Sequence, residues 1–303
     1  MSRRRWLPLI VIAVALAGCG ARCASAALNH PSATFEFGGL SRTYLVHLPP
    51  GRPTGLVVNL HGGGSRGSQQ ERLTNFDAVA DADGFVVVYP DGIDHNWADG
   101  RGASEPDRHG VDDVGFLVAL AGKLEKEYGI DPGHAFATGM SNGGFMSNRL
   151  GCDRADVFAA IAPVSGTLGA GVSCNPSRPV AVLEVHGTAD PLVPFDGGRM
   201  RGRGGASSIV SAPAMVEQWR SADGCPPAPA AETLPSTGDG TVVHRSTSTP
   251  CAAGTAVVFY QVDNGGHTWP GGPQYLPKAI IGPTTRALAA SEVIGQFFAA
   301  HSR

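Results

Sequence analysis

The stretch Ala135-Phe136-Ala137-Thr138-Gly139-Met140-Ser141-Asn142-Gly143-Gly144 decides how the rest of the chain is read. A short β-rich run, residues 135–138, enters a G-x-S-x-G turn, and a helical pattern leaves it. A serine at such a turn sits on a sharp strand-to-helix bend with its Oγ raised above the sheet. Gly139 and Gly143 are then geometric requirements, because a side chain at either position would collide with neighbouring elements. Alone, the pentapeptide also fits a plain Gly-Ser turn.

Working outward, short β-rich runs alternate with longer helical patterns, which suggests a mostly parallel sheet. Residues 42–48, 56–60, 85–89, 159–163, 180–185 and 257–262 read as further strands. Residues 113–128 read as a helix whose Leu117, Leu120, Leu124 and Tyr128 recur at three- and four-residue steps, with Asp112 or Asp113 as its N-cap. Residues 284–300 read as a closing helix. The expected architecture is a single doubly wound α/β domain without a large lid. Two segments fall outside the sheet pattern. Residues 91–109, with a lone Trp97, form a long loop beyond a strand's carboxyl end, where open α/β sheets bind ligands. Residues 197–208, rich in Gly and Arg, read as a mobile surface loop to which no role is assigned.

Three further addresses belong with the serine. Asn59-Leu60-His61-Gly62-Gly63-Gly64 follows a strand, and a glycine run there lets backbone N–H groups approach a developing oxyanion. The expected donors are Asn142 N–H and the N–H of Gly62 or Gly63. His186-Gly187-Thr188-Ala189-Asp190-Pro191 places Asp190 just past a strand end. Asn264-Gly265-Gly266-His267-Thr268-Trp269-Pro270 places His267 on a glycine-flanked loop after the last strand. The order Ser141, Asp190, His267 differs from that of chymotrypsin and of subtilisin and matches that of α/β-hydrolases. His61 and His186 are expected to serve loop packing, His61 also being a candidate substrate contact together with Trp97. His95 and His109 lie in the ligand-side loop.

The 303 residues are 42% hydrophobic and 16% charged, enough to bury one large core, and the net charge of −3 offers no basic field for nucleic acid. Arg3, Arg4 and Arg5 precede an apolar run over residues 6–17, the pattern of a signal peptide and too short for a comfortable membrane span. Leu16-Ala17-Gly18-Cys19 resembles the lipobox of bacterial lipoproteins, so residues 1–18 read as the signal, Cys19 as the lipidated anchor, residues 19–32 as a tether and residues 33–303 as the catalytic domain. The expected place is the outer face of the cell membrane. Cleavage after Ala24-Ser25-Ala26, giving a soluble secreted protein, is the alternative. Of six cysteines, Cys152, Cys174, Cys225 and Cys251 then remain as an even set in an oxidising compartment. Four cysteines allow three connectivities; Cys152–Cys174 and Cys225–Cys251 are favoured because each pair staples one local stretch. No C-x-x-C or H-x₃₋₅-H spacing supports zinc.

Taken together with Tyr89-Pro90-Asp91-Gly92, Val111-Asp112-Asp113-Val114 and Gly266-His267-Thr268-Trp269-Pro270-Gly271-Gly272, these phrases resemble the polyhydroxybutyrate depolymerase and feruloyl esterase group of secreted esterases over roughly residues 33–300. The resemblance implies the α/β-hydrolase fold, hydrolysis of acyl esters without metal or organic cofactor, a Ser141–Asp190–His267 triad, and Trp269 as a wall of the site. Polymer-degrading members often carry an extra binding domain, and none is visible here, so small or oligomeric esters are the expected substrates. Two other readings stay open on this sequence: an envelope acyltransferase on the same fold, and a non-catalytic binding lipoprotein. Protein partners are not indicated.

Overall fold

The computed structural model describes residues 32–202 and 204–302. Cys19, with the signal and most of the tether, lies outside the described residues. The chain begins with β1 (Ala33–Phe37), β2 (Leu40–His47) and β3 (Gly55–Leu60), then α1 (Gly67–Thr74), α2 (Phe76–Asp83) and β4 (Phe85–Pro90). It continues through α3 (Glu105–Arg108), α4 (Asp113–Tyr128), β5 (Ala135–Met140), α5 (Asn142–Asp153), β6 (Phe158–Val164) and β7 (Ala181–Gly187). A small antiparallel pair, β8 (Gly198–Gly202) and β9 (Gly205–Ile209), is followed by α6 (Ala212–Ala222), β10 (Ala230–Thr233), β11 (Val242–Ser248), β12 (Val257–Asp263), α7 (Lys278–Ile281) and α8 (Ala290–Ala300).

Ten strands make one sheet in the order β1-β2-β4-β3-β5-β6-β7-β12-β11-β10. From β4 to β12 every neighbouring pair is parallel, and antiparallel strands finish both flanks. Strands β3 to β7 are buried at every position, as expected where helices cover both faces. One face packs on α4, α5 and α6 through residues such as Leu117, Leu120, Leu150 and Trp219; the other packs on α2 and α8 through Phe76, Val79, Ile294 and Phe298. This is the doubly wound α/β domain expected from the alternation.

Parallel strands share a direction, so β3, β5, β7 and β12 all end on one edge. His61, Ser141, Asp190 and His267 each follow one of these ends in the chain.

Local chemistry fixes the pieces around that edge. Asp112 is the N-cap of α4, accepting from Gly115 N–H at 2.7 Å. Asp113 does not cap the helix. Its carboxylate takes the Arg42 guanidinium at 2.7 Å and Ala98 N–H at 2.7 Å, pinning the loop after β4 to the start of α4. Both disulfides are the favoured local pairs, Cys152–Cys174 and Cys225–Cys251. They tie the end of α5 to the segment before β7, and the end of α6 to the entry of β12.

Two expectations are corrected. The closing helix starts at Ala290, not Thr284, because the preceding backbone is engaged elsewhere: Thr285 O accepts from Gly271 N–H, and Arg286 N–H donates to Asp239. The described residues of the segment 197–208 are not a loop. Residues 198–202 and 205–209 form β8 and β9, paired antiparallel in register from Gly198↔Ile209 to Gly202↔Gly205.

Candidate active site

Ser141 sits between β5 and α5 with φ 57° and ψ −119°, a left-handed conformation uncommon for a residue bearing a side chain. Its N–H donates to Val164 O and its carbonyl accepts from Phe145 N–H, both at 2.9 Å, so the strained turn is held from the neighbouring strand and from the helix. The flanking glycines allow the crossing. A Cβ on Gly139 would lie 2.5 Å from Leu60 O, and one on Gly143 only 2.1 Å from the same atom. The end of β3 therefore lies directly against the turn.

That close packing brings the glycine run beside the serine. A Cβ on Gly62 would be 3.6 Å from Ser141 Cβ, and one on Gly63 would be 3.8 Å from Asn142 Cβ. Asn142 is the first residue of α5, where N–H groups lack partners within the helix and the helix dipole favours negative charge. Its side chain is held from behind: Oδ1 accepts from Trp97 N–H at 2.7 Å, and Nδ2 donates to Asp99 at 2.6 Å.

His61 supports the glycine run rather than facing a ligand. Gly92 N–H donates to its Nε2 at 2.9 Å, so the proton is on Nδ1, which donates to Gly62 O at 2.8 Å. Burial pushes its pKa down to about 4, keeping the ring neutral. Trp97 is likewise fully buried, its indole N–H donating to His61 O at 2.9 Å. Trp269 packs in the core beside α8 with its N–H on Ser291 Oγ. The substrate contacts expected of His61, Trp97 and Trp269 are thus corrected: all three have their polar atoms engaged internally, and none lines the cavity above Ser141. His95 and His109 do not line it either.

On the other side, His267 Nδ1–H donates to Asp190 Oδ2 at 2.8 Å. Asp190 Oδ1 accepts from the N–H groups of Leu192 and Val193, each at 2.8 Å, so the carboxylate is fixed at both oxygens. Burial opposes its ionisation, but the charge and hydrogen bond of His267, with His186 behind, outweigh that and hold the carboxyl below its ordinary value. His186 Nε2–H donates to Val193 O at 3.0 Å, and its Nδ1 faces Glu184 at 3.0 Å. Burial raises Glu184 to about 7, so this fully buried pair carries the proton it shares as a unit. Tyr275 OH donates to His267 O at 3.0 Å, and burial together with the Asp190 charge pushes that phenol up to about 12.

Ser141, Asn142, Gly62, Gly63 and His267 open onto one cavity of about 570 Å³, within the usual range for small-molecule sites. Asp190 stands behind His267. Several lining residues carry no signal of their own in the sequence: Phe145 on α5, Val193 and Tyr275 in the segments that follow Asp190 and His267, Arg101 in the ligand-side loop, and Met200 in the segment given no role. Met200 is the sole inward residue of β8, a single position from which no period-two pattern can be read. Among the described residues no cluster of His, Cys, Asp and Glu is arranged to hold a metal ion.

A mostly parallel sheet with serine, carboxylate and imidazole beyond the ends of its strands gives the chain the α/β-hydrolase fold, and the chain's relatives identify it as a carboxylic ester hydrolase. It belongs to the family described as esterase PHB depolymerase, whose model matches residues 42–211. A putative esterase, NocK, from Nocardia uniformis subsp. tsuyamanensis is 34% identical over 86% of this chain and 79% of its own length. Feruloyl esterase C of Emericella nidulans is 34% identical over 52% of this chain, and the match spans 58% of that protein. Among solved structures, an acetyl xylan esterase from Aspergillus awamori shares the fold at 16% identity, with a TM-score of 0.53 over 75% of this chain and 89% of its own.

Proposed function

We propose that the chain is an exported serine esterase for small or oligomeric acyl esters, working through a covalent acyl-enzyme. Ser141 Oγ attacks the ester carbonyl while His267 Nε2 takes its proton. Asp190 holds the imidazole with its other proton on Nδ1 and stabilises the imidazolium that forms. Negative charge gathering on the carbonyl oxygen is met by Asn142 N–H and by the N–H of Gly62 or Gly63. Collapse of the tetrahedral intermediate expels the alcohol, which leaves with the proton from His267. Water, deprotonated by the same imidazole, then releases the acid and restores Ser141.

The observation that carries this reading is the 2.8 Å His267–Asp190 hydrogen bond, with His267 and the strained Ser141 opening on one cavity. The name of a similar protein, feruloyl esterase C, favours an acyl group of modest size. Export is supported by the two disulfides, which persist in oxidising compartments. Lipidation at Cys19 and membrane attachment belong to the same proposal, supported by the sequence of residues 1–19. Residues 24–303, assayed on p-nitrophenyl acetate, longer acyl esters, methyl ferulate and soluble 3-hydroxybutyrate oligomers, should release acid. Ser141→Ala should lose on the order of 10⁴-fold or more in turnover. A folded Ser141→Ala protein with unimpaired turnover would end the proposal.

A further inference from the structure

The pair β8–β9 stands outside the ten-stranded sheet yet reaches the cavity. Met200 joins Phe145, Val193 and Ile209 in an apolar cluster separate from the two sheet cores. Three of its four members, Phe145, Val193 and Met200, line the cavity, so the cluster serves as a wall of the site. Phe145 is one helical turn beyond Ser141 on α5, which puts this wall next to the serine.

Charged groups fasten the pair in place. Arg108 Nη1 donates to Ala103 O and Gly204 O, both at 2.8 Å. Arg101 lies with its guanidinium 3.7 Å above the Phe145 ring, and its Nη1 reaches Met200 Sδ at 3.3 Å and Ser207 Oγ at 3.5 Å. Its Nε and Nη2 form a two-point pair with Asp99, the shorter contact being 2.6 Å. Asp99 is the carboxylate that also accepts from Asn142 Nδ2. One buried ion pair thus connects the hairpin strands to the residue that follows Ser141. A thioether is a weak acceptor, so Arg101 is held by Asp99 and uses its remaining edge to locate Met200.

We propose that β8–β9 is the specificity element of this esterase: Met200 sets how large an apolar substituent of the ester the cavity accepts, and Arg101 is the positioning residue that holds Met200 there. This rests on the Ser141 reading above. Met200→Ala removes three side-chain heavy atoms beside Phe145, room for about three methylenes. Each methylene newly buried is worth about 4-fold in relative kcat/KM, from the usual 0.8 kcal/mol per CH₂.

The test uses two series, p-nitrophenyl alkanoates from acetate to octanoate and alkyl acetates from methyl to octyl. In one of them Met200→Ala should raise the ratio of long-chain to short-chain kcat/KM by roughly 10- to 60-fold, and Met200→Phe should lower it. Arg101→Met should flatten the same profile and, by freeing Asp99, lower kcat more than it changes KM. Near-ultraviolet circular dichroism and labelling by a fluorophosphonate confirm that each variant is folded with a reactive serine. Profiles unchanged in both Met200 variants, with hydrolysis still lost on Ser141→Ala, overturn the hairpin proposal alone. Hydrolysis that survives Ser141→Ala overturns the underlying reading and this proposal with it.

Discussion

His61 allows a quantitative prediction about acid stability. In the folded protein its Nε2 accepts from Gly92 N–H, and burial lowers its pKa from 6.5 to about 4. The unfolded chain therefore takes up a proton below pH 6.5 that the folded chain refuses until about pH 4. The neutral ring's contribution to stability is present above pH 6.5 and is lost progressively as pH falls toward 4. The full shift corresponds to about 3 kcal/mol, and at pH 4.5 about 2.5 kcal/mol of it should already be gone. His61→Asn keeps an amide donor near the position of Nδ1 but cannot ionise. Urea unfolding at pH 7.0 and 4.5, followed by tryptophan fluorescence, compares the two proteins; Trp97 lies 4.9 Å from the His61 ring, centroid to centroid, and reports on this region. The carboxylates common to both proteins cancel in the comparison. The wild type should lose about 2.5 kcal/mol more than His61→Asn between the two pH values, although the variant is the less stable at pH 7. Equal losses in the two proteins would refute the reasoning.

Other expectations follow from the same contacts. Asp190→Asn leaves the fold intact but presents an amide to His267 Nδ1, favouring the wrong tautomer; kcat on p-nitrophenyl acetate should fall on the order of 10³–10⁴-fold with KM little changed. Reducing both disulfides, whose loops span 22 and 26 residues, should cost about 3 kcal/mol for each bond in urea unfolding with and without a reductant.

The edge that carries Ser141, Asp190 and His267 is legible in the sequence because each of its parts is local. A strand run followed by a glycine-flanked Ser141, by Asp190 before a proline, or by His267 after two glycines states its own address, and parallel pairing brings those addresses to one edge. The half of the cavity that faces them is assembled by long-range contacts, and these leave little trace. Arg101 meets Met200 and Ser207 across about a hundred residues of chain. The sequence 198–209 offers only Met200 and Ile209 as large apolar side chains, one on each strand, too few to show a period-two pattern. Trp97 and Trp269 mislead for a related reason: an aromatic next to a catalytic motif can face the ligand or buttress the motif from behind. Only its hydrogen-bond partners, His61 O and Ser291 Oγ, distinguish the two. Asp113 reads as a possible cap because it lies at a helix start, whereas its partner Arg42 lies on a distant strand.

The crossing at Gly139 and Gly143 also governs how such a protein can diversify. Backbone lies on backbone there, with Leu60 O closer than a methyl group would permit, so substitutions that enlarge either residue must displace a strand. The hairpin wall across the cavity lies outside the main sheet, and Met200, the side chain it turns to the cavity, can be exchanged without displacing a strand of that sheet. A mutant library is therefore better directed away from the serine turn and toward Met200 and Ile209. The chemistry can stay fixed there while the choice of ester drifts.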